Sequence, residues 1–260
     1  MEKGQKREME KVRKPLQGVT NIIRFNWHFY VIALALILLL LFVAGFLDNA
    51  LQTYIYIVCS LVLGAMVISL LVSMYVYDFS GLYKLQWVEQ ENTENVVVNI
   101  NAGFDETSAL LNAKFKRSEL IVMDFYDPAK HTEVSIKRAR KAFPPFPNTK
   151  HTRTDHIQLT DNSVDKIFLT LSAHEIRDED ERAAFFREIN RILKPTGQIY
   201  ITEHLRDLAN FLAYNIGFFH FHSKRSWLKT FEKAELNAGR EIKLTPFISS
   251  FILTKNGNTL

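Results

Sequence analysis

Residues 161–203, DNSVDKIFLTLSAHEIRDEDERAAFFREINRILKPTGQIYITE, decide the fold of this chain. Their first apolar run, residues 164–172, is typical of a buried strand, and the amphipathic pattern of residues 178–193 predicts a helix. The KPTG segment at residues 194–197 ends that helix, because proline and glycine interrupt helical hydrogen bonding. Residues 197–203 then predict a second strand. A strand–helix–strand unit of this kind favours a parallel pair of strands.

The same alternation extends on both sides of this unit. Upstream, short runs rich in β-branched residues predict two buried strands and one short strand, at residues 96–100, 119–125 and 156–159. Helices are predicted between them, over residues 106–115 and 129–142, and a further helix over residues 226–236 precedes two final strands at 240–244 and 247–254. The pattern predicts an α/β domain built on a mostly parallel seven-stranded sheet. Such sheets bind ligands outside the carboxyl ends of their strands.

The N-terminal part of the chain has a different composition, since no Lys or Arg occurs between Phe25 and Tyr83. It contains two long apolar runs, residues 28–47 and 53–77. A helix of about 20 residues crosses a hydrocarbon core of roughly 30 Å, and the short linker at residues 48–52 requires the two helices to be antiparallel. The alternatives are a cleaved signal peptide or a buried helical hairpin. The second apolar run and the lack of a polar face argue against both.

The charges flanking the two runs predict the orientation of this transmembrane hairpin. Seven Lys and Arg residues precede the first run, the linker has none, and Lys84 follows the second run. Because positive residues remain on the cytoplasmic side, both termini and the soluble domain are expected in the cytoplasm. The predicted organisation is a basic cytoplasmic segment (1–26), the hairpin (27–78), a juxtamembrane linker (79–94) and the soluble domain (95–260). The basic segment serves either as a topology signal or as a contact for anionic lipid.

The helix end in residues 188–197 carries a longer pattern. Glu188, Ile189, Arg191, Leu193, Lys194, Pro195 and Gly197 match an E-I-x-R-x-L-K-P-G-G sequence in which Thr196 replaces the first glycine. With the preceding DNSVD, this pattern resembles the class I S-adenosylmethionine-dependent methyltransferases, and the resemblance covers residues 95–254. It implies a Rossmann-like class I methyltransferase fold, S-adenosylmethionine as cofactor and methyl transfer to an acceptor.

The resemblance implies that residues 99–105 form the cofactor loop, where the family has D-x-G-x-G-x-G. Here Asn99 replaces the acid, Asn101 and Asp105 replace the outer glycines, and only Gly103 remains. Glycines let the backbone approach the ligand and adopt left-handed angles, which Asn and Asp tolerate better than most residues. The loop therefore either keeps its shape, with Asp105 near the ammonium group of the cofactor, or is too crowded to bind.

Further cofactor contacts are implied at the ends of the next strands. Asp124 occupies the position of the acid that binds the ribose hydroxyls, which a carboxylate can accept. Asp127 is the alternative ligand, and a helix cap or turn is the structural alternative for Asp124. Asp155 corresponds to the acid that contacts the adenine amino group, with Ile157 packing nearby, or is a surface residue. Leu171 would line the pocket at the end of the fourth strand.

Candidate catalytic residues follow the fourth and fifth strands. His174 and Glu175, and then Glu203 and His204, could accept a proton from a hydroxyl or phenol acceptor. The alternative is that these residues cap loops or helices.

Metal and nucleic acid are not expected. His220 and His222 lie two residues apart without a third ligand in a recognisable pattern, and the single cysteine, Cys59, lies in the second apolar run. The basic stretch at residues 130–153 lacks a nucleic-acid-binding motif, so it either contacts lipid headgroups or is a solvated face. Residues 208–221 either cover the substrate pocket, rest on the membrane interface or pack in the core.

The sequence therefore favours an integral membrane protein that is a methyltransferase acting on a small, lipophilic or membrane-adjacent acceptor. Its expected partners are the lipid bilayer and that acceptor; the pattern does not indicate an oligomeric state. The main alternative is a non-catalytic binding or scaffold protein that retains the methyltransferase fold. A dinucleotide-dependent enzyme is a third interpretation, against which the lack of a G-x-G-x-x-G motif argues.

Overall fold

A computed structural model describes residues 13–91 and 93–257 of the chain. The basic residues before Arg13 therefore lie outside the described residues. Two long helices, α1 (Gln17–Ala44) and α2 (Asn49–Met74), form the predicted hairpin. Asp48 in the connection accepts hydrogen bonds from the first backbone N–H groups of α2, which satisfies donors that a helix end leaves unpaired.

The hairpin is closed at its base by Asp78. Helix α2 continues as a π-helical turn, Tyr75–Phe79, and a 3₁₀ turn, Leu82–Lys84. The Asp78 carboxylate in the first turn accepts the N–H groups of Gly18 and Val19 at 2.7 and 2.9 Å. A carboxylate at a helix N-terminus is favourable because it pairs with free N–H groups and with the helix dipole. The two helices are thus joined at the end nearest the soluble domain.

The soluble domain is built on seven strands. They are β1 (Val96–Asn101), β2 (Glu119–Asp124), β3 (Lys150–His151), β4 (Val164–Thr170), β5 (Leu193–His204), β6 (Leu236–Thr245) and β7 (Ile248–Lys255). The order in the sheet is β3-β2-β1-β4-β5-β7-β6; β7 runs antiparallel to both of its neighbours, and the other pairings in the described residues are parallel. This confirms the predicted mostly parallel seven-stranded sheet. The strand order reverses between β1 and β4, so a ligand site is expected at their carboxyl ends.

Five further helices complete the domain: α3 (Ser108–Lys114), α4 (Val134–Ala142), α5 (Glu179–Ile192), α6 (Leu208–Tyr214) and α7 (Lys224–Lys233). Two 3₁₀ turns, Ala173–Glu175 and Asn215–His220, follow β4 and α6. The largest core cluster lies between the sheet and helices α5 and α7, where Phe185, Phe186 and Trp227 are completely buried.

Several elements differ from the sequence prediction. Strands β5 and β6 each begin four residues earlier than predicted, at Leu193 and Leu236. The third strand is Lys150–His151, paired with Met123 and Asp124 of β2, and not residues 156–159. Ile157 instead packs in the core and donates its N–H to the Glu188 side chain at 2.9 Å, so its backbone is satisfied outside the sheet. Helix α4 begins at Val134 and not at residue 129, because the preceding residues form a turn held by Asp127.

Candidate active site

The loop after β1 has its left-handed residue at Gly103. Gly103 has φ 91°, and the side chain of Asn101 accepts its N–H at 2.9 Å. A Cβ atom on Gly103 would lie 3.0 Å from Cβ of Tyr126 and would collide with the guanidinium of Arg140. Asn101 and Asp105 do not have positive φ angles. The loop therefore keeps its tight turn on the single glycine.

The residues that replace the acid and the last glycine stabilise this loop from within. Asn99 is buried, and its amide donates to the hydroxyls of Thr107 and Ser108 at 3.0 and 2.8 Å. Asp105 Oδ1 accepts the backbone N–H groups of the same two residues, each at 2.9 Å, and so caps the start of α3. The other oxygen, Asp105 Oδ2, is buried without a hydrogen-bond partner among the described residues. An unpaired buried acceptor is costly, so this oxygen is suited to a donor on a ligand.

A small, partly open pocket of about 40 Å³ lies beside this loop. Its walls come from the loop, from the end of β2 and from the segment that follows α4, namely Asn101, Gly103, Asp105, Asp124, Arg140, Phe143, Pro144 and Pro145. Four of the predicted cofactor residues, Asn101, Gly103, Asp105 and Asp124, are therefore brought together, and Asn99 supports the loop beside them. The wall after α4 was not predicted, although the basic helix and the following FPPFP were visible in the sequence.

Asp124 at the end of β2 is already engaged by Arg140. Its Oδ1 accepts the N–H of Tyr126 at 2.8 Å, and its Oδ2 accepts from Arg140 Nη1 at 2.5 Å. The guanidinium also lies over the Tyr126 ring, 4.2 Å from its centre. The Arg140 side chain thus occupies the space above Gly103 that a ligand would need. It is 37% exposed, so it can turn out into solvent.

The chemistry of this pocket fits S-adenosylmethionine once Arg140 is displaced. The unpaired Asp105 oxygen would accept from the ammonium group of the methionine part, and the Asp124 carboxylate would accept the two ribose hydroxyls. The left-handed turn at Gly103 permits close approach of a ligand to the backbone.

Three predicted cofactor residues do not line this pocket. Asp155 is exposed and forms a bidentate pair with Arg153 at 2.8 and 2.5 Å, which lowers the pKa of its carboxyl group. Ile157 is completely buried in the core. Leu171 has φ 51° and packs against Val76 at the base of the hairpin.

A second group of polar residues lies at the carboxyl ends of β4 and β5. Glu203 is completely buried and accepts from the N–H groups of Ser172 and His174 at 3.1 and 3.2 Å, and from His174 Nδ1 at 2.7 Å. Burial disfavours a charged imidazole, but the carboxylates of Glu203 and Glu175 outweigh it and raise the pKa of His174 to about 10. His174 therefore holds its proton at neutral pH in this arrangement.

His220, from the turn after α6, joins this group. Its Nε2 lies 3.6 Å from Glu175 Oε1, and its ring packs edge-on against the ring of His174 at a centroid distance of 4.9 Å. His222 does not belong to it, because its Nε2 accepts from Arg182 at 3.1 Å. We call His174, Glu175 and His220 the HEH cluster. The sequence indicated the first two residues as candidate bases and His220 only together with His222, where no metal was expected.

His204 has a different environment from the other candidate bases. Its Nδ1 lies 3.0 Å from the carbonyl oxygen of Phe247, which can only accept, so Nδ1 carries the proton. Its Nε2 then accepts from the hydroxyl of Tyr77 at 2.8 Å. Burial lowers the pKa of His204 to about 4. The Nε2 lone pair of His204 is therefore occupied by the hydrogen bond from Tyr77, which connects the base of the hairpin to β5.

The burial of neutral His204 predicts acid sensitivity. In the unfolded chain it gains a proton near its ordinary pKa of 6.5, whereas in the folded chain it does so only near pH 4. Stability is therefore complete above pH 6.5 and is lost as the pH falls toward 4, by about 3 kcal/mol from this residue at 1.36 kcal/mol per pKa unit. Urea unfolding of the full chain in detergent micelles at several pH values measures this. His204→Gln, which does not titrate, should reduce the slope over this range, while His222, whose pKa burial lowers to about 3, keeps part of it; an unchanged slope would contradict the assignment.

The cofactor loop is also attached to the hairpin through Glu106. Four residues at the base of the hairpin contact it: Arg13, Gln17, Asn21 and Tyr83. The Glu106 carboxylate pairs with Arg13 at 2.9 Å and accepts from Gln17, Asn21 and Tyr83 at 3.0, 3.3 and 2.9 Å.

Aromatic rings extend this contact to the pocket wall. Phe25 of α1 packs edge-on against Phe104 of the loop and Phe143 of the wall, at centroid distances of 5.5 and 6.2 Å. The pocket and the hairpin are therefore in direct contact.

Comparison with known proteins agrees with this geometry. Residues 98–201 match the profile of a family described as "Methyltransferase domain". In fold, the chain is similar to the PH0226 protein from Pyrococcus horikoshii, with 14% identity and a TM-score of 0.51 over 70% of this chain and 92% of that one. A SAM-dependent methyltransferase from Aquifex aeolicus aligns with 17% identity and a TM-score of 0.48, over 68% of this chain and 94% of that one. No curated protein sequence matches the chain. At 14% identity and a TM-score of 0.51, the likeness to the PH0226 protein shows the fold alone.

Proposed function

We propose that this chain, whose residues 98–201 match a methyltransferase-domain family, is a membrane-anchored S-adenosylmethionine-dependent enzyme that methylates a small, lipophilic or membrane-adjacent acceptor. S-adenosylmethionine is the cofactor of this family, and when bound it supplies an activated methyl group on a sulfonium. The observation that carries the proposal is the direct contact between the cofactor pocket and the base of the hairpin.

The burial of the two long helices supports the membrane anchor. In the most apolar 18-residue window of each helix, only 6% of the residues are buried. Core helices of soluble proteins bury such side chains, whereas these would meet water along most of their length. A bilayer removes this exposed apolar surface from water, because about 20 residues suffice to cross it. The lack of basic residues in the linker supports a cytoplasmic soluble domain.

A second apolar surface supports the proximity of the acceptor to lipid. On helix α6 and the turn that follows it, Leu208, Leu212, Ile216 and Phe219 are 72, 62, 84 and 62% exposed. A short amphipathic segment with an exposed apolar face can lie in the membrane interface. The same segment carries His220 of the HEH cluster, so an acceptor that arrives from lipid would pass close to these polar groups.

Methyl transfer forms a bond from the acceptor nucleophile to the methyl carbon as the bond from that carbon to sulfur breaks. The protein contributes mainly by holding the two reactants in line, since proximity supplies a large part of such a rate. Gly103, Asp105 and Asp124 would position the donor. Glu175 and His174 lie at the end of β4, where they can orient a polar acceptor group.

The test of the function is calorimetric titration of the full chain in detergent micelles with S-adenosylhomocysteine and S-adenosylmethionine. We expect saturable binding with one ligand per chain. Asp155→Ala is the control, because Asp155 is exposed and outside the pocket; it should bind as the wild type does. No binding to the folded protein at millimolar ligand would favour the non-catalytic scaffold. If Asp155→Ala abolished ligand binding, Asp155 would be the residue that contacts the adenine.

Orientation in the membrane has a separate test. Protease added to sealed inside-out vesicles should digest the soluble domain, because the cytoplasmic face of such vesicles is outside. The same protease added to right-side-out vesicles should leave it intact until detergent is added. Protection of the domain in the inside-out vesicles would contradict the proposed orientation.

A further inference from the structure

We propose that the HEH cluster binds one divalent transition-metal ion through His174 Nε2, Glu175 Oε1 and His220 Nε2. These three atoms come from two segments of the chain and all lie within 4.8 Å of one another. No metal was expected from the sequence, so this site departs from that prediction. The cluster differs from the cofactor pocket in its residues, and no member of it lines that pocket.

The separations between the ligand atoms fit a common ion better than they fit hydrogen bonds. His174 Nε2 and His220 Nε2 lie 3.5 and 3.6 Å from the same oxygen, Glu175 Oε1. Good N–H···O hydrogen bonds measure about 2.7–3.2 Å, so both contacts are long. A tetrahedral zinc ion with bonds of about 2.0–2.1 Å separates its ligand atoms by about 3.3–3.4 Å. Shifts of a few tenths of an ångström would complete that geometry.

Each histidine of the cluster also has a carboxylate on its other nitrogen. His174 Nδ1 lies 2.7 Å from Glu203 Oε2, and His220 Nδ1 lies 3.0 Å from Glu133 Oε1. A carboxylate on Nδ1 keeps a proton there, so a metal ion that displaces the proton of Nε2 finds the Nε2 lone pair directed toward it, as in carboxylate–histidine–zinc sites. The guanidinium of Arg177 contacts Glu133 at 3.7 Å and both ring nitrogens of His220, with Nη2 at 3.1 Å from Nε2. Metal binding therefore requires this guanidinium to turn away from the His220 ring. Two independent outer contacts therefore orient both rings toward Glu175.

The ligand set indicates which ion fits. Two imidazoles and one carboxylate suit Zn²⁺ and its first-row neighbours, whereas Mg²⁺ prefers oxygen ligands. Three protein ligands leave a coordination position open. His220 is 26% exposed, so the site can be reached from solvent. If the proposed methyl transfer is right, this position would hold an oxygen of the acceptor; metal binding itself does not depend on that function.

The experiment uses the full chain in detergent micelles, purified with a tag that contains no histidine and then depleted of metal with a chelator. Zn²⁺ is titrated in competition with a chromophoric chelator, and Co²⁺ is added separately as a spectroscopic probe. We expect one ion per chain and Co²⁺ absorption typical of low coordination number. His220→Gln and Glu175→Gln should each weaken Zn²⁺ binding at least about 100-fold, and Glu203→Gln about 10- to 100-fold.

His156→Gln is the matched control, since His156 is 67% exposed and lies outside the cluster; it should bind Zn²⁺ as the wild type does. Circular dichroism of each variant establishes that it is folded, and His220→Gln is the more informative variant because His220 is partly exposed. Weak binding that no cluster variant changes, or no stoichiometric binding, would overturn the proposal. Titration of S-adenosylhomocysteine on the same metal-depleted sample separates this failure from a failure of the proposed function.

Discussion

The Asp124→Ala variant should bind S-adenosylhomocysteine at least about 100-fold more weakly than the wild-type chain. Hydrogen bonds to a charged group contribute about 1.5–3 kcal/mol each, and Asp124 would accept two from the ribose. Loss of both exceeds the 2.7 kcal/mol that correspond to 100-fold, even though the wild-type carboxylate must first release Arg140. Calorimetry on the full chain measures the change.

The control for this variant is Asp127→Ala. Asp127 is the nearest other acid after β2, and its carboxylate accepts the N–H of Ala129 at 2.8 Å. Its removal should change the affinity less than threefold. If instead Asp127→Ala abolished binding and Asp124→Ala did not, the ribose would be held by Asp127, and Asp124 would serve only the turn at Tyr126.

The Arg140→Ala variant should bind S-adenosylhomocysteine more tightly than the wild type, because Arg140 competes with the ligand for Asp124. In the wild type the ligand must break the pair between Arg140 and Asp124, which is 2.5 Å long and partly exposed. Arg140→Ala removes that competitor and should tighten S-adenosylhomocysteine binding by about three- to tenfold, since partly exposed pairs contribute about 0.2–1 kcal/mol and the side chain also blocks the space above Gly103. Weaker binding would show that the guanidinium contacts the ligand and does not compete with it.

Glu203→Ala should give the largest loss of stability, about 3–5 kcal/mol in the free energy of unfolding. The carboxylate is completely buried, and three N–H groups donate to it. Its removal leaves His174 and two backbone donors without a partner in the interior, and breaking one side of a buried charged pair has a cost of this size. Urea unfolding followed by near-ultraviolet circular dichroism is the measurement.

Two variants make that result specific. Glu203→Gln keeps the shape and one acceptor oxygen, so it should lose less than Glu203→Ala. Glu232→Ala removes an exposed acid on α7 and should stay within about 0.5 kcal/mol of the wild type. Equal stability of Glu203→Ala and the wild type would mean that the contacts of Glu203 contribute nothing net.

The sheet and the position of the tight turn at Gly103 were predictable because their signals are local. Apolar runs separated by helical patterns fix the order of elements, and the pattern around Gly103 falls at the end of the first strand. The contacts that modify the site join distant parts of the chain. Arg140 reaches Asp124 from the end of a helix, and Tyr77 reaches His204 across 127 positions. No periodicity in the sequence encodes such pairs.

The HEH cluster illustrates the same limit. His174 and Glu175 were visible as polar residues after a strand, but His220 lies 45 positions beyond Glu175, and only the folded turn after α6 brings it to them. Asp155 gives the reverse case, because the family resemblance implied a ligand at this position while the neighbouring Arg153 pairs with it at the surface. Residues that are close in the sequence can be predicted to pair with each other, whereas a site built from several distant segments cannot be predicted in this way.

The contact of Phe25 with Phe104 and Phe143 determines how close the pocket lies to the bilayer. Phe25 precedes the long apolar run by three residues, which is about 4.5 Å along a helix at 1.5 Å per residue. With α1 in a bilayer, the wall of the pocket would sit at the level of the lipid headgroups, and Arg138, whose guanidinium donates to the Phe25 carbonyl oxygen at 2.6 Å, would hold it there. The hairpin would then fix the distance between the pocket and the bilayer, so that acceptors are selected by the depth of their reactive atom in the membrane. A molecule with that atom near the bilayer centre would not reach the pocket.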